Sequence, residues 1–212
     1  MPHASRLTSD FAQTLLSTGA LRVNVAQPFR LTSGILSPIY VDCRAVIGFP
    51  EQRHRLVDGL VTLIETKIGT KNFDVIAGGV TAGIPMAAIL AERLNKPLCY
   101  VRKEAKAHGK GQQVEGADVT GQRVLLFDEL ISRGSSVSAF CPALRAAGAQ
   151  LDHLLVMLSY DSGEVRAASW DCEVTLHALL TLDELLAAAP LTEADRAEVT
   201  RFRADPVHWC AE

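Results

Sequence analysis

VLLFDELISRGSS, residues 124–136, holds in order an apolar run, an acidic pair at Asp128 and Glu129, and a small, hydroxyl-rich loop with Ser132, Arg133, Gly134, Ser135 and Ser136. Four apolar residues in a row, bounded by charge, read as a strand buried on both faces, and helical spacing follows over 137–147. The same alternation extends outward in both directions. Apolar runs at 75–77, 98–101 and 154–158 and a helical stretch at 85–94 complete a strand-and-helix series. The expected fold is therefore α/β, a central parallel sheet with helices on both faces, and the residues just after each apolar run are where ligands bind in such sheets.

Those residues carry chemistry. Adjacent acids at a strand end accept hydrogen bonds from vicinal hydroxyls, and a small-residue loop entering a helix offers backbone amides and a favourable dipole to a phosphate. A sugar phosphate satisfies both, although an ordinary strand-to-helix turn with its acids and serines as helix caps has the same composition. AGGVTAG, residues 77–83, also lies between strand and helix and is able to cradle a second phosphate, or simply to pack closely. It lacks the lysine of a P-loop. RKEAKAHGKGQQVEG, residues 102–116, reads as a basic loop with Arg102, Lys103, Lys106, His108 and Lys110, either a lid over a polyanion or a solvated charge run. The guanidinium of Arg133 has two options, a bidentate phosphate contact or an outward swing into solvent; outward is expected, because backbone amides already serve the loop.

The first third of the chain reads differently. A short helix over 11–16 precedes extended segments at 22–25, 29–32 and 39–42, which form a small subdomain, and Pro50 starts a helix reaching about residue 68. With 212 residues, 48% of them hydrophobic, and no linker or repeat, one domain is expected. Charged residues are 21% and the net charge is −3, which gives no footprint for nucleic acid. Five scattered cysteines without a CxxC pair fit neither a disulfide framework nor a zinc site, and no apolar run approaches a membrane span, so a cytoplasmic protein is expected. Cys43 and Cys99 read as inert thiols in apolar strands, Trp170 and Trp209 as packed residues, and His3, His54, His153, His177 and His208 as dispersed without ligand spacing.

Taken together in order, these stretches resemble the orotate phosphoribosyltransferases. FRLTSGILSPIYVDCR at 29–44 is similar to that family's substrate hood, AGGVTAGIP to its pyrophosphate loop, RKEAKAHG to its catalytic loop, FDELISRGSS to its phosphoribosyl pyrophosphate (PRPP) motif, and FRADPVHW at 202–209 to its C-terminal signature. The resemblance implies a type I phosphoribosyltransferase fold in a single domain, with about 1–45 contributing the hood and about 70–180 the α/β core. It also implies a homodimer in which the catalytic loop acts in trans, with no nucleic acid or membrane as partner. The implied reaction is magnesium-dependent exchange of PRPP and orotate for orotidine 5′-phosphate and pyrophosphate.

Carried over position by position, the resemblance gives Asp128 and Glu129 the ribose hydroxyls, and Ser132, Arg133, Gly134, Ser135 and Ser136 the 5-phosphate loop. Thr81, Ala82 and Gly83 take the pyrophosphate, and Arg102, Lys103, Lys106 and His108 the charge of the leaving group. Thr32, Ser33, Gly34, Tyr40 and Arg166 are the candidates for the base, and magnesium is held mainly by substrate oxygens. Several positions depart from the family pattern: Glu129 in place of a second Asp, Arg133 in place of a small hydroxyl residue, Ser135 for glycine, Ala107 for an acid, Thr32 for a lysine and Ser162 for an arginine. They leave open a phosphoribosyltransferase for another base, or a non-catalytic PRPP or nucleotide sensor of the same fold.

Overall fold

The computed structural model describes residues 2–31, 33–104 and 112–210, with residues 2–7 by backbone alone. In chain order the elements are α1 (Pro2–Leu16), β1 (Leu21–Val23), β2 (Phe29–Arg30), β3 (Leu36–Ser37), β4 (Ile39–Val41), a 3-10 turn (Cys43–Gly48) and α2 (Pro50–Leu63), which widens into a π turn (Ile64–Ile68). The second part runs β5 (Val75–Gly79), α3 (Gly83–Leu94), β6 (Leu98–Val101), β7 (Val114–Gly116), β8 (Arg123–Ile131), α4 (Ser135–Ala146) and β9 (Gln150–Ser159). It closes with α5 (Gly163–Asp171), β10 (Thr175–Thr181), α6 (Leu182–Ala188) and α7 (Glu193–Ala204).

The main sheet has the order β10-β9-β8-β5-β6-β7, and every pairing in it is parallel except the antiparallel edge pair β6–β7. The expected parallel sheet is thus mixed at one edge, because the second half of the basic stretch, Val114–Gly116, is itself a strand. Alternate residues of the strands serve opposite faces. Ile76, Leu125, Phe127, Leu155 and Met157 pack with Leu15, Leu56, Leu60, Met86 and Leu90 of α1, α2 and α3. Ala77, Val124, Leu126, Leu154 and Val156 pack with Val137, Phe140 and Leu144 of α4 and Val165 of α5. From β5 the chain passes through α3 to β6 on one side, whereas β8 and β9 lie on the other. The order therefore reverses between β5 and β8, which opens a crevice beyond their carboxyl ends.

A smaller unit stands over that end. β1 pairs with β4 and β2 with β3, both antiparallel, and Ile39 is buried together with Leu182 and Leu186 of α6, Val199 and Phe202 of α7, and Trp209. Both ends of the chain build this unit. The Phe202 and Trp209 rings meet edge to face at 5.7 Å, and the indole N–H of Trp209 donates to Glu198 Oε2 at 3.2 Å. Tyr160, at the end of β9, packs against both this cluster and the sheet core.

Four sequence expectations change. Trp170 is 84% exposed on α5, so only Trp209 packs. Cys43 is buried in the 3-10 turn, not in a strand, while Cys99 lies in β6 as expected. Two of the dispersed histidines meet across β9 and β10, with His153 Nδ1 and His177 Nε2 at 3.3 Å. The apolar run at 124–127 is part of a longer strand, β8, so Asp128 is buried inside that strand, before its last three residues, and does not stand beyond its end. No helix among the described residues is long and apolar enough to cross a membrane.

Candidate active site

Asp128 sits on the β8 side of the crevice at 6% exposure. The neighbouring strand-to-helix turn presses on it: a Cβ added at Gly83 would lie 2.9 Å from the Phe127 carbonyl oxygen and 3.3 Å from Asp128 Oδ1. Only glycine lets the start of α3 come this close. Asp128 Oδ1 accepts the Glu129 backbone N–H at 3.0 Å. Burial pushes the Asp128 carboxyl up to about 9, and the adjacent Glu129 carboxyl pushes the same way, while the Lys103 ammonium pulls it down. Behind the pair, burial first and Glu129 next raise the Cys43 thiol, which excludes it as a nucleophile near neutral pH.

The helices after α2 begin in two ways. α5, α6 and α7 are closed by side chains, with Ser162, Thr181 and Thr192 accepting backbone N–H groups of the first turn. α3 and α4, which start on either side of Asp128, have no side-chain cap: their N-cap residues are Ala82 and Gly134. In α3 the Ile84 N–H donates to the Thr81 carbonyl at 3.4 Å and Pro85 has no N–H, so the Gly83 amide and the first amides of α4 are the groups without a side-chain acceptor, and the helix dipoles favour an anion there. Gly134 stands at φ +83°, where a side chain is strained, and a Cβ on it would meet the Ala168 Cβ of α5 at 2.2 Å. Thr81 and Ser135 are exposed at the mouths of the two turns, with Ala82, Ser132 and Ser136 partly buried beside them. A carboxyl pair between two helix starts that favour anions has the chemistry to take a sugar that carries phosphate groups.

Residues 51–178 match the phosphoribosyl transferase domain family. The orotate phosphoribosyltransferase of Roseobacter denitrificans is 40% identical over 213 residues, covering 98% of this chain and 95% of the relative. That of Coxiella burnetii is 38% identical over 205 residues, covering 95% and 97%. This chain belongs to the orotate phosphoribosyltransferase family. Among solved structures, the orotate phosphoribosyltransferase from Aeropyrum pernix superposes with a TM-score of 0.73 at 32% identity, covering 83% of this chain and 96% of that one. The Leishmania donovani UMP synthase gives 0.79 at 26% identity, covering 93% of this chain and 42% of that one.

Against the family pattern, the structure gathers some of the expected residues and separates others. Asp128, Glu129, the loop 132–136 and the turn 81–83 lie around one crevice. Arg102 is tied elsewhere: its Nε donates to Glu115 Oε1 on β7 at 2.9 Å, with the guanidinium 5.7 Å from the Tyr100 ring centre. Lys103 is exposed beside it. Lys106, His108 and Thr32 lie outside the described residues. Arg133 does turn outward, yet into a bidentate pair with Glu164 of α5, Nε and Nη2 donating at 2.9 Å each, and not into open solvent.

Of the candidates for the base, Ser33 and Gly34 form an exposed turn whose Gly34 N–H donates to the Leu31 carbonyl at 2.9 Å. Tyr40 is partly buried on β4, its ring 5.8 Å from Phe29 and its hydroxyl accepting from Arg44 Nη2 at 3.3 Å. Arg166 is held on Asp161, donating to its carbonyl at 2.9 Å and its Oδ1 at 3.0 Å. Sequence reasoning missed Asp42 and Arg44, a pair at 2.6 Å whose arginine is held charged by Asp42 first and, more weakly, by Glu129. It also passed over Tyr160, whose phenol burial drives above its ordinary range beside Cys43 and Tyr40. The signal available was position: Tyr160 directly follows the last parallel strand's neighbour, where ligand-facing residues belong.

Proposed function

We propose that the protein transfers the phosphoribosyl group of PRPP to orotate, giving orotidine 5′-phosphate and pyrophosphate, in the synthesis of pyrimidine nucleotides. The observation that carries this reading is the buried Asp128 between the two uncapped helix starts of α3 and α4. In it, Asp128 and Glu129 accept the ribose hydroxyls, the amides and hydroxyls of 132–136 take the 5-phosphate, and Thr81, Ala82 and Gly83 take the pyrophosphate. Breaking the bond at the anomeric carbon leaves a cationic ribosyl centre above the carboxyl pair while charge builds on the departing pyrophosphate. Lys103, Lys106 and His108 answer that second charge. Arg102 joins them only by leaving Glu115. Ser33, Gly34, Tyr40 and Arg166 face the base side of the crevice in this reading, with Thr32.

Among the described residues no three His, Cys, Asp or Glu side chains gather as a metal site. The carboxyl pair at 128–129 supplies hard oxygen donors, which fits a magnesium ion that takes most of its ligands from substrate and water. Bound with PRPP, magnesium supplies neutralisation of the pyrophosphate charge. A homodimer whose basic loops close over the neighbouring subunit's pyrophosphate completes the reading. It is tested by following orotate loss optically with PRPP and magnesium, beside parallel reactions with uracil, adenine and hypoxanthine. Turnover with orotate alone is expected. Turnover only with another base rejects the choice of base, and PRPP binding without any turnover rejects the enzyme.

A further inference from the structure

Three contacts of different kinds join the phosphate loop to the start of α5. Arg133 forms its two-toothed ion pair with Glu164. The Ser162 hydroxyl, which accepts the Val165 N–H as the cap of α5, donates in turn to the Ser132 carbonyl at 3.3 Å. Gly134, at the turn between loop and α4, packs against Ala168 with no room for a side chain. The loop residues in contact, Ser132, Arg133 and Gly134, lie immediately before α4, so their conformation sets where the first amides of α4 point. α5 itself is held to the sheet by Val165, buried in one cluster with Leu154 and Val156 of β9.

We infer that α5 is a brace for the phosphate loop, with Glu164 as a positioning residue that fixes PRPP affinity by holding Arg133, and with it the loop, in one conformation. The inference rests on the proposed function for the ligand, and goes beyond it in placing control of that ligand on an element outside the crevice. It also alters what is expected at Arg133. An arginine in open solvent would be replaceable by threonine at no cost, whereas one half of a brace is not. Both partners are about half exposed, so the pair alone is worth little in global stability; its effect is on the loop's shape.

The test is a steady-state series on the full-length protein: wild type, Glu164→Ala, Arg133→Thr, the double variant, and the exchanged pair Arg133→Glu with Glu164→Arg. Each single change is expected to raise the KM for PRPP about five-fold with kcat held within about two-fold, the scale of one well-oriented surface pair. The double variant is expected to be no worse than either single, because the second change removes nothing further, and the exchanged pair to recover most of the affinity. Unchanged KM in the single variants, additive losses in the double, or a lowered KM in Glu164→Ala would each overturn the brace. Failure of the proposed function itself shows separately, as absence of wild-type turnover with PRPP and orotate. Melting temperatures of all variants separate a local change from unfolding.

Discussion

At Asp128 the sequence asks for a carboxyl group where packing leaves almost no water, and the two demands are reconciled by a proton. Burial holds the carboxyl up to about 9, so the empty site carries the acid in its neutral form near pH 7. Because the folded value lies above the unfolded one, this group's contribution to stability is complete below the ordinary carboxylate range near pH 4 and is lost as pH rises toward 9. Asp128→Asn, neutral at every pH, is expected to match the wild type at pH 4 and to melt a few degrees higher by pH 9. A melting-temperature difference that stays flat across a pH series would show that the proton is not there. The same variant is expected to lose about 100-fold in kcat/KM for PRPP, since an amide has no proton to give up when substrate arrives and so never becomes the carboxylate that faces the developing positive charge. At Gly134 the demand is steric: Gly134→Ala places a Cβ 2.2 Å from Ala168 at φ +83°. A rise of at least about ten-fold in the KM for PRPP is expected, with roughly 2 kcal/mol of lost stability seen in denaturant titration. An unaltered KM would show that the turn's geometry does not govern the ligand.

At the scale of elements, legibility followed the strength of local patterns. β6, at 98–101, reads directly from four apolar residues between turn signals, and α3 from its apolar spacing. β8 was read short because Asp128 and Glu129 look like the end of a strand, although its backbone pairing continues through Ile131. α7 was passed over because EADRAEVTRFRA has few apolar positions and owes its place to Val199 and Phe202. α6 had a readable start, the capping box of Thr181 and Glu184. The Arg133–Glu164 pair was out of reach of any local pattern, since its partners are 31 residues apart and meet only after α4 and β9 have folded. The strongest element-scale test is at α7. Phe202 is buried against Trp209 and the small antiparallel unit, so Phe202→Ala is expected to cost about 3 kcal/mol, or roughly 6–12 °C in melting temperature. Tyr40 stands on β4, next to the buried Ile39, so the KM for orotate should rise more than that for PRPP. Equal effects on both substrates would mean that α7 supports the whole fold without shaping the base side.

At the scale of the molecule, the crevice is built by one chain on three sides: the carboxyl pair of β8, the starts of α3 and α4, and the small unit closed by both chain ends. The basic segment starts from other elements. It is connected to β6 and β7, the outermost pair of the sheet, and its first arginine is bound to Glu115 on the far strand. In the dimer proposed above, Lys106 and His108 serve the neighbouring subunit's pyrophosphate. Cations that reach the site together with PRPP, in that proposal, avoid crowding like charges around helix starts that already favour anions. Mixing Lys106→Ala protein with Asp128→Ala protein, each nearly inactive alone, tests this. In a two-fold dimer with loops acting in trans, each mixed pair joins one intact ribose site to one intact loop, so a one-to-one mixture should reach about a quarter of wild-type activity. Action in cis predicts none, because each subunit then lacks one half of its own machinery. Subunit exchange, followed by mass spectrometry of differently tagged proteins, makes a negative result decisive: exchanged dimers without activity would place the loop over its own site.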